Sequence, residues 1–337
     1  MGMLQPAIAS NSLGHLSLHK ISKRLDQAAG HGFLEVEIVD DDLDTYAGTL
    51  PGGLSDANRL EAARHVRQEC DRLGLSIIVF QPFRFYEGLL DRDKHEKKLD
   101  KLRLWMQIVK ILRTTIIQIP TNWLQTGTTG DLDTIVQDLR KMADVGLEQD
   151  PVVSFAYEGV AWGKYIDTWG GTWSVVQKVN RSNFGLCLDT FHMAGRVWGD
   201  PQSQTGKSLN ADSDFQQSLA ELVDNLDISK VFYVQAGDAE LLNEPLLPGF
   251  ALYNPEQPPR MTWSRNARLF PLEVDLGGYL PIMDILDVLV NKLGYRGHMS
   301  LELFSRNAFG SEENTPEMFA IRAAKSWTAT MAKLGVQ

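Results

Sequence analysis

The sequence predicts an α/β fold, a closed (β/α)8 barrel that the whole chain, residues 1–337, builds as a single domain. Short apolar runs with strand periodicity alternate with stretches of helical spacing, and this alternation repeats eight times. A length of 337 residues suits one undivided barrel. The alternative is an open doubly wound sheet, which usually carries a glycine-rich phosphate loop after its first strand. No GxGxxG motif follows the first strand here, so the barrel is favoured.

The strands and helices follow one another in strict order. We predict strands near residues 4–9, 33–39, 75–80, 115–119, 152–157, 183–188, 229–235 and 297–303. Helices are predicted near residues 18–30, 56–73, 92–111, 131–147, 170–180, 213–226, 281–293 and 314–334. Several helices end in a glycine that suits a left-handed cap, namely Gly74, Gly294 and Gly335.

One connection, residues 236–280 after the seventh strand, is much longer than the others. Its apolar content, including Trp263, Leu269 and Phe270, favours an ordered loop over a disordered insertion. Long connections at the carboxyl face of a barrel usually form the binding site or a lid, so we expect this loop to border the site.

Composition excludes several classes of protein. With 33 Lys and Arg against 43 Asp and Glu, the formal charge of -10 repels polyanions, so we expect no nucleic-acid partner. The two cysteines, Cys70 and Cys187, form no CxxC motif and indicate neither a disulfide framework nor a zinc-thiolate site. No signal peptide or membrane-spanning run is recognisable, so the cytoplasm is the expected compartment. An oligomer remains possible.

Four polar residues lie at or just beyond the ends of apolar runs: Glu158, Asp189, Gln235 and Glu302. Taken singly, each could be a helix cap or an ion-pair residue. If the runs are parallel barrel strands, however, all four side chains converge on one mouth of the barrel. Three carboxylates and one amide oxygen form a cage that suits Mg²⁺, Mn²⁺ or Co²⁺ better than a structural Zn²⁺.

Several side chains could complete a site around this cage. His192 follows Asp189 by three residues and is the candidate general base or acid, with His15 a weaker candidate. Arg84, after the third strand, and Arg265, in the long loop, are candidates for binding an anionic substrate, although each could instead pack on neighbouring aromatic rings. Trp162 could wall a ring pocket or seal the barrel rim.

At these residues the chain resembles the xylose isomerase-like sugar isomerase and epimerase superfamily, and more closely the 3-dehydroshikimate dehydratases of the quinate-utilisation type. The Glu, Asp and Glu set is common to the superfamily. Gln235, where the sugar epimerases usually have histidine, is the more specific signal, together with WSRNARLFP. The resemblance runs over nearly the whole chain, through GFLEVEIVDDDL, QPFRFYEGL, YEGVAWG, LCLDTFHMAGR, YVQAGDAE, WSRNARLFPLE and LGYRGHMSLELFSR.

This resemblance implies a metal-dependent hydro-lyase that converts 3-dehydroshikimate to protocatechuate and water through a metal-stabilised enediolate. It implies that His192 is the catalytic histidine and that Arg84 and Arg265 meet the substrate carboxylate. The implied ligands of the divalent metal are Glu158, Asp189, Gln235 and Glu302.

Other functions stay open at this point. A sugar isomerase or epimerase acting on a neutral ketose would share the metal site but would not need two arginines at a carboxylate. A nuclease of the same superfamily would want more histidine ligands and a basic groove, which the sequence does not offer. A barrel without catalysis that binds a ligand or a partner protein would show no metal-dependent turnover.

Overall fold

A computed structural model describes residues 4–310 and 312–336 of the chain. Within these residues, strands from eight places in the sequence pair in parallel and close into one barrel. The strands are β1 (Pro6–Ala9), β2 (Glu35–Val39), β3 (Ser76–Gln81), β4 (Ile116–Pro120), β5 (Ser154–Glu158), β6 (Phe184–Asp189), β7 (Val231–Ala236), β8 (Asp238–Ala239), β9 (Arg268–Leu269) and β10 (His298–Leu301). The barrel runs β1-β10-β7-β6-β5-β4-β3-β2, while β8 and β9 form a separate antiparallel pair. The predicted (β/α)8 barrel is therefore confirmed.

Helices follow the barrel strands and cover the outside of the barrel. They are α1 (Ile21–Gly30), α2 (Asp40–Thr49), α3 (Asp56–Leu73), α4 (Arg92–Leu112), α5 (Leu132–Leu147), α6 (Trp169–Val179), α7 (Thr190–Val197), α8 (Ala211–Asn225), α9 (Pro259–Ala267), α10 (Ile282–Asp287) and α11 (Thr315–Leu334). Short 3-10 turns occupy Ser10–Leu13, Ile228–Lys230, Val274–Leu276 and Arg306–Phe309, and a π turn, Val288–Lys292, extends α10. Helices α2, α7 and α9 are not among the predicted helices. Of these, α9 lies in the long connection predicted over residues 236–280.

Local sequence explains where several helices start and stop. The side chains of Ser55, Asp91 and Asp131 accept hydrogen bonds from backbone N–H groups in the first turns of α3, α4 and α5. Gly74 and Gly335 end α3 and α11 in the left-handed conformation, with φ of 70° and 67°. The predicted glycine stops at these two helices are therefore confirmed.

The inside of the barrel has an apolar lower part and a polar upper part. On β7, Tyr233 and Gln235 are two residues apart and therefore point the same way, into the barrel. The lower residues form a small buried cluster apart from the main core, which lies between the strands and the helices. This cluster includes Ala7, Val79, Ala156, Cys187 and Tyr233.

Register shifts between neighbouring strands bring the polar residues to one level. Between β6 and β7, Leu186 pairs with Val231 but Cys187 pairs with Tyr233. The residue of β7 between these two pairs therefore has no partner on β6. Such a shift re-aims the side chains that follow it. As a result, Gln235 lies directly opposite Asp189.

The long connection after β7 is ordered, as predicted. Trp263 and Phe270 are buried in the main core. Asp238 accepts hydrogen bonds from the backbone N–H groups of Ala239, at 2.7 Å, and of Leu280, at 2.9 Å. These contacts tie both ends of the loop to the carboxyl end of β7.

In the part of the chain that the structure describes, none of the helices combines the length and the apolar character needed to cross a membrane.

Candidate metal centre at the carboxyl end of the barrel

The structure brings the four cage residues of the sequence analysis to one end of the barrel. Glu158, Asp189 and Gln235 lie at the carboxyl ends of β5, β6 and β7, and Glu302 directly follows β10. All four side chains are buried, with exposed fractions of 4% or less. Carboxylates so far from water need a counter-charge or hydrogen-bond donors.

His192 is part of this group rather than a distant neighbour. Its Nε2 lies 3.7 Å from Oε1 of Glu158 and 3.7 Å from Oδ2 of Asp189. Ligand atoms of these three residues all lie within 4.8 Å of one another, close enough to hold a metal ion together. The sequence predicts that His192 lies beside the cage; the geometry also allows it to serve as a ligand.

Helix α7 places His192 at the site. Asp189 caps this helix, because its Oδ1 accepts hydrogen bonds from the backbone N–H groups of Phe191, at 2.7 Å, and His192, at 3.3 Å. Thr190 joins the start of the helix to the end of β7. Its hydroxyl donates to the carbonyl of Gly237 at 2.8 Å and accepts from the N–H of Gly237 at 3.0 Å.

Arg268 is not among the site residues predicted from the sequence, whereas Arg265 in the same segment is. Nη1 of Arg268 donates to Oδ2 of Asp189 at 2.7 Å and to Oε2 of Glu302 at 3.0 Å. Its guanidinium also lies over the ring of Phe191, with 4.3 Å between the guanidinium carbon and the ring centre. Helix α9 ends at Ala267, so Arg268 opens β9 and turns inward, whereas Arg265 stays on the helix.

Two glutamines also contact the cage and were not singled out from the sequence. Gln81 Nε2 donates to Oε1 of Glu302 at 3.1 Å, and Gln118 Nε2 donates to Oε2 of Glu158. Gln81 ends the apolar run SIIVFQ, which is the same pattern that identified the four cage residues. The signal for Gln81 was therefore present in the sequence.

The electrostatics of the cage favour a bound cation. Burial, followed by the charges of Asp189 and Glu302, raises the pKa of Glu158 well above its usual range. Burial also raises the pKa of Glu302, against the opposing effect of Arg268. A dication would relieve both the desolvation of these carboxylates and their mutual repulsion. The set of buried oxygen donors therefore fits a divalent metal ion.

His192 is held in a neutral form. Burial lowers the pKa of its imidazole to about 3, well below the usual value of 6.5. Its Nδ1 lies 3.1 Å from the backbone nitrogen of Ala161, and the ring of Trp162 meets the imidazole edge-on at 4.9 Å. Trp162 thus walls the site next to His192.

A cavity of about 100 Å³ opens above the cage. His192, Arg268 and both predicted substrate-binding arginines line it. The predicted arginines, Arg84 and Arg265, also line a larger outer cavity of about 630 Å³, where His15 is found. His15 therefore lies in the outer cavity rather than at the cage.

The two predicted arginines differ in their surroundings. Arg84 pairs with Asp40 at 3.3 Å and with Asp41 at 3.0 Å. Arg265 forms no ion pair among the described residues, and burial together with the charge of Arg84 lowers its pKa. An incoming anion would therefore meet an Arg265 guanidinium that is not engaged in a direct ion pair with any described carboxylate.

Comparisons with known proteins identify the family of the chain. Residues 25–330 match the model of the family described as xylose isomerase-like TIM barrel. The chain is 44% identical over 338 residues to a 3-dehydroshikimate dehydratase of Neurospora crassa, covering 98% of this chain and 94% of the relative. It is 30% identical to a 3-dehydroshikimate dehydratase of Pseudomonas putida, over 90% of this chain but only 38% of that relative.

A solved structure, described as a xylose isomerase-like TIM barrel/4-hydroxyphenylpyruvate dioxygenase fusion protein, is 27% identical and superposes with a TM-score of 0.71. The match covers 96% of this chain and 42% of that one. The chain thus spans well under half of this fusion protein. The family match and the coverage of the Neurospora relative together show that the chain belongs to the xylose isomerase-like TIM barrel family and, within it, to the 3-dehydroshikimate dehydratases.

Proposed function

We propose that this chain is a metal-dependent hydro-lyase that converts 3-dehydroshikimate to protocatechuate and water. The observation that carries the proposal is one cavity above the oxygen cage, lined by two of its carboxylates, an imidazole and three guanidinium groups. The 44% identity to a relative named 3-dehydroshikimate dehydratase supports the same reaction.

Within this proposal, four side chains hold the metal: Glu158, Asp189, Gln235 and Glu302. The donors are hard oxygens, which supports Mg²⁺, Mn²⁺ or Co²⁺ as the ion. When bound, the ion supplies positive charge that makes the C4 proton of the substrate more acidic and stabilises negative charge on the C3 oxygen.

His192 takes the C4 proton in this account. Its Nε2 is the ring nitrogen that faces the cage carboxylates, and its lowered pKa keeps it neutral near pH 7. A neutral imidazole accepts a hydrogen bond at only one nitrogen. The backbone N–H of Ala161 donates a hydrogen bond to Nδ1 at 3.1 Å, and Nη2 of Arg268, also a donor, lies 3.0 Å from Nε2. For Nε2 to act as the base, the ring proton must sit on Nδ1 and the hydrogen bond from Ala161 must be given up.

Elimination completes the reaction. Once C4 has lost its proton, the C4–C5 double bond forms as the C5 hydroxyl leaves and takes up a proton to become water. Net transfer of a C6 proton to the C3 oxygen then converts the C3 ketone into a hydroxyl and gives the aromatic ring, and aromatisation drives the reaction forward. We assign the proton for the leaving hydroxyl to His192, because a base that has just accepted a proton can return it as an acid.

The arginines favour a carboxylated substrate over a neutral ketose. Arg265, which forms no ion pair among the described residues, is the proposed primary partner of the substrate carboxylate, and Arg84 assists it. Arg268 lies deeper in the same cavity, beside Asp189 and Glu302. A sugar epimerase has no use for a cluster of guanidinium groups at this position.

The test compares two substrates with the same metal-loaded protein. We expect 3-dehydroshikimate to give the absorbance of protocatechuate and a neutral ketose to show no epimerisation. Glu302→Ala should abolish turnover, while Glu221→Ala, an exposed position on α8, should not change it. Ketose epimerisation without protocatechuate formation would replace this proposal with the sugar-epimerase alternative.

A further inference from the structure

The turn that carries Arg84 after β3 has an unusual backbone conformation. Phe85, the next residue, has a φ of 59°, in the left-handed region that residues with a side chain seldom adopt. An aromatic residue in this conformation is strained, and such strain persists only where the surrounding contacts fix it. Both residues line the outer cavity. The contacts that hold this turn therefore shape the approach to the site.

Lys98 on α4 holds the backbone of the turn. Its Nζ donates a hydrogen bond to the carbonyl oxygen of Arg84 at 2.8 Å. That carbonyl belongs to the planar peptide group that joins Arg84 to Phe85, so its direction is tied to the φ angle of Phe85. The hydrogen bond therefore keeps this peptide group in the orientation that the left-handed residue requires.

The ring of Phe85 has two aromatic or charged partners. Nζ of Lys98 lies over the ring, 5.7 Å from its centre, which is within the range of a cation–π contact. Trp123 meets the same ring edge-on, with 4.5 Å between the ring centres. Lys98 thus contacts the strained residue through its ring and through the peptide group that precedes it.

The guanidinium of Arg84 is held from a different direction. Asp40 and Asp41, at the start of α2, accept from it at 3.3 Å and 3.0 Å. Lys101, one turn after Lys98 on α4, has its Nζ 3.4 Å from Oδ2 of Asp40. Helix α4 is therefore linked both to the backbone of Arg84 and to a partner of its side chain.

Lys98 is an amine without a carboxylate partner. It is half-buried and forms no ion pair among the described residues. Burial, followed by the charge of Lys101, lowers its pKa to about 8. A cation in such surroundings is costly to keep. Lys98 lines neither the inner nor the outer cavity, so any effect on the substrate must pass through the residues that it contacts.

We propose that Lys98 is a positioning residue that holds the left-handed turn at Phe85 and thereby keeps the guanidinium of Arg84 at the cavity. This inference rests on the proposed function, in which Arg84 assists Arg265 in binding the substrate carboxylate. It adds a residue of the outer helical layer to the determinants of substrate affinity.

The test measures KM and kcat for 3-dehydroshikimate in Lys98→Met, which keeps a long side chain but removes the charge and the donor. KM should rise by about 3-fold to 10-fold, the range that one hydrogen bond contributes, while kcat stays near the wild-type value. Lys97→Met, at the neighbouring exposed position of α4, is the matched control and should change neither. Lys98→Arg keeps a charged donor and should bring KM back towards the wild-type value.

A second measurement separates positioning from a general structural role. In the background of Arg84→Gln, Lys98→Met should raise KM no further, because Lys98 acts through Arg84. A substitution that only loosened the fold would add its full effect in that background.

Three results would overturn the inference. The first is an unchanged KM in Lys98→Met, and the second is a rise in KM of equal size with and without Arg84→Gln. The third is a folded Lys98→Arg protein whose KM is as high as that of Lys98→Met. Failure of the proposed function looks different, since the wild type would then form no protocatechuate and would have no KM for 3-dehydroshikimate.

Discussion

At the scale of single residues, the charged side chains of the site differ in whether they form an ion pair with an opposite charge. Asp189 and Glu302 share the guanidinium of Arg268, and Arg84 is held by Asp40 and Asp41. Arg265 alone among these groups forms no ion pair in the described residues. This difference leads to distinct expectations for the two arginines at the cavity mouth.

Arg265→Gln should raise KM for 3-dehydroshikimate by roughly 10-fold to 100-fold, because a hydrogen bond to a charged group contributes about 1.5–3 kcal/mol. Arg84→Gln should raise KM less, since Asp40 and Asp41 already offset its charge. Both variants should retain most of kcat, as expected when binding is lost equally from the ground state and the transition state. Arg103→Gln, exposed on α4, is the matched control. An unchanged KM in Arg265→Gln would remove this residue from the substrate site.

His192 leads to a prediction about stability and pH in protein stripped of metal. Its pKa is about 3 in the folded protein and about 6.5 in the unfolded chain, so between these values only the unfolded chain binds the extra proton. Stability from this group therefore falls as pH falls. From pH 7 to pH 5 the wild type should lose about 2 kcal/mol more than His192→Asn, as measured by urea unfolding. Parallel losses in the two proteins would show that His192 is not held neutral.

At the scale of elements, two strands and one helix must stay in register for the site to form. Helix α7 begins directly at the end of β6, and the hydroxyl of Thr190 fastens its first turn to Gly237 after β7. His192 on the helix and Gln235 on the strand are thereby held in a fixed relation.

Thr190→Val should lower the free energy of unfolding by about 2 kcal/mol. The shape of the side chain is kept, but the buried N–H and C=O groups of Gly237 lose their partner. We expect kcat to fall as well, because His192 and Gln235 lose their common anchor. Thr328→Val is the control, since its hydroxyl donates to a backbone carbonyl on an exposed face of α11. Equal effects of the two substitutions on stability would argue that the contact between Thr190 and Gly237 does not hold α7 to the end of β7.

The elements also show what sequence reasoning can and cannot find. The eight strands were predictable because parallel strands buried on both faces leave continuous apolar runs. Residues such as Glu158 and Asp189 were predictable because they stand where those runs end. Helix α7 was missed because it begins at Thr190, immediately after β6, with no intervening turn to mark it.

The residues missed within the site have physical reasons of their own. Arg268 turns inward only because α9 ends one residue before it, and the position of that helix end is not visible in the sequence. Glu37 faces inward by strand alternation, but the amides that hydrogen-bond to it come from β3 and β7, which lie far away in the chain. Gln81, by contrast, ends an apolar run and could have been predicted from the sequence.

At the scale of the whole molecule, the barrel concentrates acidic groups at one end and surrounds them with arginines. The chain carries a formal charge of -10, yet the cavity above the cage is lined by Arg84, Arg265 and Arg268. This local reversal of charge lets an acidic protein accept an anionic substrate. The remaining carboxylates of the cage then call for a divalent cation.

The central claim is that this cage holds a metal ion on which dehydration depends, and metal removal and return tests it most directly. Protein stripped with a chelator, and shown by elemental analysis to be free of divalent metal, should form no protocatechuate from 3-dehydroshikimate. Addition of Mg²⁺, Mn²⁺ or Co²⁺ should restore product formation in the wild type but not in Glu302→Ala. Full activity in the metal-free protein, or none with any of the three ions, would contradict the account.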